Sequence, residues 1–377
     1  MSAPVKPRGL DGVVAGQTRL SHVDGQAGQL IIGGYELKEL AGKVTFEEAA
    51  HLLWRGALPR RDELTRLREE IASLRALPDE TLRVVRAAAK IPPIDALRMG
   101  SATLSLDLAN PDDISPAADL QAAKLLVARF PTIVAAHARL SAGKDPIAPR
   151  ADLPLAANFL YMVHGKAPDP IAARAIDTYW VTVIDHGMNA STFAARVIAS
   201  TRSDMVSAVT GAIGALKGPL HGGAPGPVLD MLKDIKSADR ADAWVRGELA
   251  QGRRIMGFGH RVYKVRDPRA DVLSKVADEM SAAALENRKL FDLARSVEQT
   301  ALKVLDEVKP GRNLRTNVEF FTALVLQGLG LEPRSFVATF ACGRVAGWSA
   351  HVIEQHGEDH LIRPQSEYTG PRGLKVQ

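Results

Sequence analysis

Alanine-rich apolar segments with helical periodicity leave this chain little choice of fold class. Residues 122–140 read AAKLLVARFPTIVAAHARL, and residues 203–218 read SDMVSAVTGAIGALKG. Small residues on an apolar face let helices approach closely. Only 5% of the residues are aromatic while 46% are hydrophobic, so a large core is built from packed helices rather than from a β-sandwich. At 377 residues, the chain suffices for one large domain or two smaller ones.

Local signals set the boundaries. LSHVDGQAGQLIIGGYEL, residues 20–37, alternates apolar and polar positions between Asp24-Gly25 and Gly33-Gly34. It predicts a small N-terminal β-hairpin. Thr45 and Glu48 have capping-box spacing ahead of Ala49, Leu52 and Leu53. Leu64, Leu67, Ile71 and Leu74 mark a helix ending before Pro78; a second runs from Pro78-Asp79 to the break at Pro92-Pro93. Pro131 is expected to interrupt the helix over 122–140. Amphipathic, more charged helices are expected at 239–250, 268–284 and 286–307, and apolar ones return from 317. The expected organisation is a large apolar helical domain from residues 1–220 plus 326–377. Residues 221–325 form a smaller, more polar helical lid.

The formal net charge is +5, but no run of five Lys or Arg occurs. Dispersed charge argues for a solvated surface with sites for anionic ligands, not for nucleic acid. A single cysteine, Cys342, forms no intrachain disulfide, residues 1–12 carry no apolar signal core, and no apolar run is long enough to span a membrane. A soluble cytoplasmic protein without membrane association is expected.

The chemistry-bearing residues cluster where the apolar and polar regions meet. GFGHRVYKVRDPRAD, residues 257–271, holds two glycines, His260 and four basic residues. Gly257 and Gly259 permit tight turns and close backbone approach. Two more histidines stand beside structure breakers: His186 in IDHGMNASTF and His221 in GPLHGGAPG. The three lie about 35 to 40 residues apart, with no HExxH or CxxC pair, so the pattern does not favour a metal site. Glu319 is the only ionisable group in NVEFFTALVLQGLGL, in the first turn of a helix that Asn317 can cap. Burial raises and the helix end lowers such a carboxyl's pKa, which suits a general base. Arg344 sits in the apolar segment SFVATFACGRVAGWSAHVIEQ, where a buried guanidinium needs either an acidic partner or an anionic ligand. Arg269 and Arg363 are further cations, each next to a proline. The planar fork of an arginine matches a carboxylate.

Together these segments resemble the citrate synthase family. SHVDG (21–25), DHGMNASTFAARV (185–197), GPLHGGA (218–224), GFGHRVYKVRDPRA (257–270), NVEF (317–320), GRVAGWSAH (343–351) and RPQSEYTG (363–370) follow the family's order from end to end. The resemblance implies a mostly α-helical two-domain fold. It also implies a homodimer whose active sites lie between the domains, and condensation of an acyl-CoA with a 2-oxo acid, most often acetyl-CoA with oxaloacetate. It implies no metal and no cofactor, the CoA thioester being a substrate. On this resemblance His221 hydrogen-bonds the thioester oxygen, Glu319 is the base and His260 acts at the ketone. His186, Arg269 and Arg344 hold carboxylates, and Arg363 reaches the partner's site. For CoA, the turn from Arg253 through Gly257 to Gly259 is the candidate for the adenine. Lys264, Arg312 and Arg315 are candidates for the phosphates.

The chain also departs from the family. Glu319 stands where many members have Asp, which extends the base by roughly 1.5 Å, a scale to which reacting geometry is sensitive. LHGGAPGPV lacks the Asn and Glu often found after LHGGA, Gln365 replaces a common basic residue, and Thr316 replaces a frequent Pro. One methylene in an acyl pocket is worth only about 1–3 kcal/mol, so propionyl-CoA, giving 2-methylcitrate, is the alternative donor. A non-catalytic, ligand-binding homologue is the alternative of a different class, and Glu319 is its best support.

Overall fold

The computed structural model describes residues 8–10, 12–222, 225–282 and 285–376. Residues 1–7 and 11 of the N-terminal stretch, Gly223 and Ala224 of the LHGGA segment, residues 283 and 284 of the expected helix 268–284, and residue 377 lie outside them. Strands β1 (Ser21–Asp24), β2 (Gln29–Ile32) and β3 (Tyr35–Glu36) open the fold. Next come α1 (Leu37–Leu40), α2 (Phe46–Arg55), α3 (Arg61–Leu74), α4 (Asp79–Ala87), α5 (Pro93–Ala102) and α6 (Pro116–Ser141). The middle holds α7 (Leu155–His164), α8 (Pro170–Val183), α9 (Ala190–Ala199), α10 (Met205–Leu216) and α11 (Pro225–Ile235). The chain continues through α12 (Ala241–Ala250), α13 (Pro268–Ser281), α14 (Leu285–Val308), α15 (Val318–Gly328) and α16 (Phe336–Glu358). The fold is mostly α-helical, as expected, and no helix among the described residues is long and apolar enough to cross a membrane.

Side-chain caps place several helix starts. The Thr45 hydroxyl accepts from Glu48 N–H, and the Glu48 carboxylate accepts from Thr45 N–H at 2.7 Å, which completes the expected capping box. The helix expected to run to the break at Pro92-Pro93 ends at Ala87, and Pro93 stands in the first turn of α5. The expected break at Pro131 does not occur: α6 runs through it for 26 residues. An internal proline costs about 3 kcal/mol or more. Leu125, Leu126, Val127, Phe130, Ile133 and Val134 are all buried around it, each worth about 1.5–3 kcal/mol. Tertiary burial therefore outweighs the local penalty.

The expected hairpin is present and gains a third strand. β1 pairs antiparallel with β2 in the register Ser21↔Ile32 to Asp24↔Gln29, and β2 pairs with β3 across Gly33-Gly34. The β1–β2 turn docks on the loop after His260. Gly25 C=O accepts from Lys264 N–H at 2.8 Å, and a Cβ at Gly25 would stand 2.2 Å from Val262 O. Only glycine permits that approach. Gly25→Ala is expected to destabilise the protein by about 1–3 kcal/mol, measured by chemical denaturation. An unchanged midpoint would show that the turn does not need this contact.

One continuous apolar core runs from Leu20 through α2, α6, α8 and α10 to α13, α15 and α16. The domain boundary expected at 325/326 falls inside α15, which packs on α13 and α11; the connection after it begins at Leu329.

Candidate active site

Three junctions between helices converge. The first is the loop from α8 to α9. Asp185 is fully buried, with His351 Nε2 at 3.2 Å and the Ser21 hydroxyl donating to it. Ser21 Oγ also accepts from Gly187 N–H at 2.9 Å, so β1 fixes the loop that carries His186. The His186 ring lies 3.1 Å from Tyr263 Oη through Nε2, and edge-on to His260 with centroids 5.7 Å apart. Burial, then Arg269, Arg344 and His260, hold its pKa well below 6.5, so the ring is neutral.

The second junction joins two segments distant in sequence. Phe258 and Thr316 form an antiparallel bridge, with Asn317 N–H donating to Gly257 O at 2.9 Å and Gly259 N–H to Arg315 O at 2.7 Å. Asn317 Nδ2 donates to Gly259 O at 2.8 Å. Gly257 and Gly259 have φ of +82° and +86°, and a Cβ at Gly257 would meet Phe320 at 2.7 Å. The close approach these glycines allow is thus to 315–320 of the same chain, and three of their backbone polar groups are already paired. Asp267 caps α13 and also accepts from Val318 N–H at 3.2 Å, which fastens the starts of α13 and α15 together. Thr316 takes the place of a frequent proline and uses its hydroxyl, which donates to the buried Glu298 carboxylate at 2.7 Å.

His260 Nδ1 accepts from Val262 N–H and Tyr263 N–H, both at 3.0 Å. The proton of the neutral ring therefore stands on Nε2. Burial and Arg269 push the pKa of His260 down to about 4. Arg269 Nη2 lies 3.4 Å from that Nε2, so two donors stand side by side, as an anionic or carbonyl acceptor requires. Arg269 is otherwise answered: it holds Asp267 by Nε at 3.0 Å and Nη2 at 2.8 Å. Asn317 caps α15 through Glu319 N–H at 3.0 Å. The Glu319 carboxyl receives no hydrogen bond from a described residue. Burial raises its pKa to about 7 against the pull of Arg269 and Arg344.

The third junction follows α10. His221 Nε2 lies 2.8 Å from Ser191 Oγ. Ser191 has one proton and two acceptors in reach, His221 and Asn189 Oδ1. Asn189 Oδ1 already accepts the N–H groups of Ser191 and Thr192, both at 3.2 Å, and Trp348 Nε1 donates to Ser191 Oγ at 3.1 Å. Donation from the hydroxyl to His221 Nε2, rather than to Asn189 Oδ1, leaves the His221 proton on Nδ1. Burial and Arg344 push the pKa of His221 down to about 4.

Arg344 links all three junctions. It is 1% exposed, donates Nε–H to Val183 O at 2.6 Å and stacks over Phe340 at 4.7 Å. Among the described residues, no carboxylate forms an ion pair with its fork. Burial lowers its pKa to about 10, although Asp185 supports the charge. It acts electrostatically on His186, His221 and Glu319. The structure thus brings together His186, His221, His260, Arg269, Glu319 and Arg344.

Other sequence candidates lie elsewhere. Arg363 is exposed, in the segment after α16 where Ile362 N–H donates to Ser200 Oγ at 3.1 Å. Arg253 is engaged by Glu248, with Nε–Oε2 at 2.6 Å, and Arg315 by Asp306 at 2.7 Å, so neither guanidinium is free. Lys264 Nζ donates to Arg261 O at 3.2 Å, and Arg312 is exposed. Ser191, Asp267 and Tyr263 complete the site. All three lie inside the recognised motifs, but only their partners in space reveal what they do.

This geometry has relatives. Residues 9–365 match the family described as Citrate synthase, C-terminal domain. The citrate synthase of Haloferax volcanii is 40% identical over 380 residues, covering 99% of this chain and 98% of that protein. The citrate/2-methylcitrate synthase of Bacillus subtilis is 38% identical, covering 97% and 96%. Among solved structures, citrate synthase from the thermophilic archaeon Thermoplasma acidophilum, in ternary complex with carboxymethyl coenzyme A and oxaloacetate, superposes with a TM-score of 0.90 at 30% identity, covering 97% of this chain and 96% of that one. With sequence and fold matched over nearly the whole length, the chain belongs to the citrate synthase family.

Proposed function

We propose that this protein condenses acetyl-CoA with oxaloacetate to give citrate and CoA. The observation that carries this reading is the buried fork of Arg344, with no acidic partner among the described residues, beside a Glu319 carboxyl whose pKa lies at about 7. Glu319 removes a proton from the acetyl methyl group. His221 Nδ1–H hydrogen-bonds the thioester oxygen as negative charge develops there, a contribution on the order of 3 kcal/mol. The methyl carbon then bonds to the ketone carbon of oxaloacetate. His260 Nε2–H hydrogen-bonds the ketone oxygen as negative charge develops there, and that oxygen becomes a hydroxyl by taking up one proton in place of the one Glu319 removed from the methyl group. Water cleaves the citryl thioester to citrate and CoA. His186, Arg269 and Arg344 orient the carboxylates of the oxo acid.

In this reading residues 221–325 close as a lid over the body formed by 1–220 and 326–377, and exclude water from the enolate. The protein acts as a cytoplasmic homodimer whose partner supplies Arg363 to the oxo-acid site. For CoA, Arg253 and Arg315 would first have to leave Glu248 and Asp306. Lys264 and Arg312 are the stronger phosphate candidates, and the turn ending at Gly257 and Gly259 offers the adenine only the backbone groups not already paired. The scheme needs no metal or redox cofactor.

The name of the B. subtilis relative favours a second reading, in which propionyl-CoA is also a donor. A thiol-release assay pairing acetyl-CoA and propionyl-CoA with oxaloacetate decides the matter. The expected result is faster release with acetyl-CoA and measurable release with propionyl-CoA. A preference for propionyl-CoA makes the protein a 2-methylcitrate synthase, and no release with either leaves a ligand-binding homologue.

A further inference from the structure

Strand β1 touches both loops whose rings meet in the site. At one end Ser21 Oγ donates to Asp185 and accepts from Gly187 N–H at 2.9 Å, the two residues that flank His186. At the other end, just past Asp24, Gly25 O accepts from Lys264 N–H at 2.8 Å, in the loop that carries His260 and Tyr263. Asp24 Oδ1 locks that turn, accepting from Gln26 N–H at 2.9 Å and Ala27 N–H at 2.8 Å. Behind Ser21 stands a closed ring of hydrogen bonds. His351 Nε2 lies 3.2 and 3.3 Å from the two Asp185 oxygens, and its Nδ1 lies 3.3 Å from Arg196 Nη1. A guanidinium only donates, so Nδ1 accepts and the His351 proton faces Asp185. Arg196 Nη1 also holds Glu354 at 2.5 Å, and Glu354 accepts at 2.9 Å from the N–H of Arg19, two residues before Ser21. Asp185 and His351 are both fully buried. Helix α16 presses on the same loop: a Cβ at Gly347 would stand 2.1 Å from Ile184 O and 3.1 Å from Asp185 Oδ1.

Among the described residues the His186 ring has one side-chain hydrogen-bond partner, Tyr263 Oη at 3.1 Å. Its placement therefore depends on the main chain at 185–187 and on the spacing to the loop of Tyr263. Contacts along β1 bear on both. We infer that Ser21 is a positioning residue for the oxo-acid site: backed by Asp185 and His351, its hydroxyl fixes the loop of His186 at a set spacing from the loop of His260 and Tyr263. The inference rests on His186 orienting a carboxylate of oxaloacetate, and Ser21 acts through that ring. The role asks for a short side chain that both donates and accepts, which a hydroxyl does and an alkyl group cannot.

The test is Ser21→Ala in the full-length protein, followed by initial rates, calorimetric titration with oxaloacetate and thermal denaturation. KM and Kd for oxaloacetate should rise roughly tenfold. KM for acetyl-CoA and kcat should stay within about threefold, and Tm should fall by no more than a few degrees. Ser21→Thr keeps the hydroxyl and suits a strand, so it should restore oxaloacetate affinity to within about twofold. An unchanged Kd in Ser21→Ala overturns the inference. So does a loss spread equally over both substrates and kcat that threonine does not rescue, the mark of a purely structural serine. If the alanine variant fails to fold, Ser21→Cys, close in size and a weak donor, should raise KM for oxaloacetate several-fold, and an unchanged value there overturns the inference. His186→Ala separates the two layers. Unchanged oxaloacetate affinity in that variant sinks the role of His186 itself, whereas weakened affinity beside an unmoved Ser21→Ala sinks only the role of Ser21. In the double variant Ser21→Ala should add less than about twofold to His186→Ala, because a residue acting through His186 has nothing left to position; full additivity speaks against the inference.

Discussion

Glu319→Gln is expected to lower kcat by about 10²–10⁴-fold, the usual range for removing a general base, with KM for oxaloacetate changed by no more than a few-fold. The wild-type protein should lose kcat/KM tenfold per pH unit as pH falls below about 7, because a base acts only when deprotonated and burial places the Glu319 carboxyl there. The same substitution should change stability in the opposite sense. Glu319 has an ordinary value of 4.5 and a folded value of about 7. Above pH 7 the carboxylate is charged in both states, and the folded state carries the cost of its desolvation, at most about 3 kcal/mol. Below pH 4.5 it is neutral in both states and costs nothing. Gln in its place should therefore raise Tm at pH 8, with the gain fading toward pH 4.5. Wild-type kcat in the variant would remove Glu319 from the base role. An equal Tm at pH 8 would show that the carboxyl is not desolvated.

Arg344→Met is expected to raise KM for oxaloacetate by roughly 10²–10³-fold, because it takes a buried cation away from a bound carboxylate. The variant itself should be as stable as wild type or more so, since the protein offers that fork no acidic partner among the described residues. Arg269 provides the contrast. It is equally buried but holds Asp267 by two bonds. Arg269→Met would strand a buried carboxylate, at a cost of about 3–5 kcal/mol. Initial rates and thermal shifts with and without oxaloacetate distinguish the two. If Arg344→Met left KM unchanged, or destabilised the protein as Arg269→Met should, Arg344 would be a structural arginine.

Local chemistry was legible in the sequence wherever it is complete within a few residues. The capping box of Thr45 and Glu48, the Asn317 cap ahead of Glu319 and the hairpin around Asp24-Gly25 are of this kind. The identity of six site residues was legible because they sit in motifs beside chain breakers. What was hidden depends on partners far along the chain. Pro131 stays within α6 because of neighbours from other helices. Gly257 and Gly259 looked open to a ligand and instead pack against 315–320. Arg315 looked like a free cation for a phosphate and is held by Asp306. Arg363 lies exposed in the segment after α16 and makes no hydrogen bond or ion pair with the cluster among the described residues.

The bridge between Phe258 and Thr316 has a consequence for timing. Together with the Asp267 bond to Val318 N–H, it makes His260, Arg269 and Glu319 a single mechanical block, although the two segments lie 58 residues apart in sequence. Any fluctuation that displaces one displaces all three, so the base and the ketone donor keep step. Millisecond exchange measured at residues 258–269 and 315–320 should then share one rate constant, while His186 and Arg344 report the motion from the other bank.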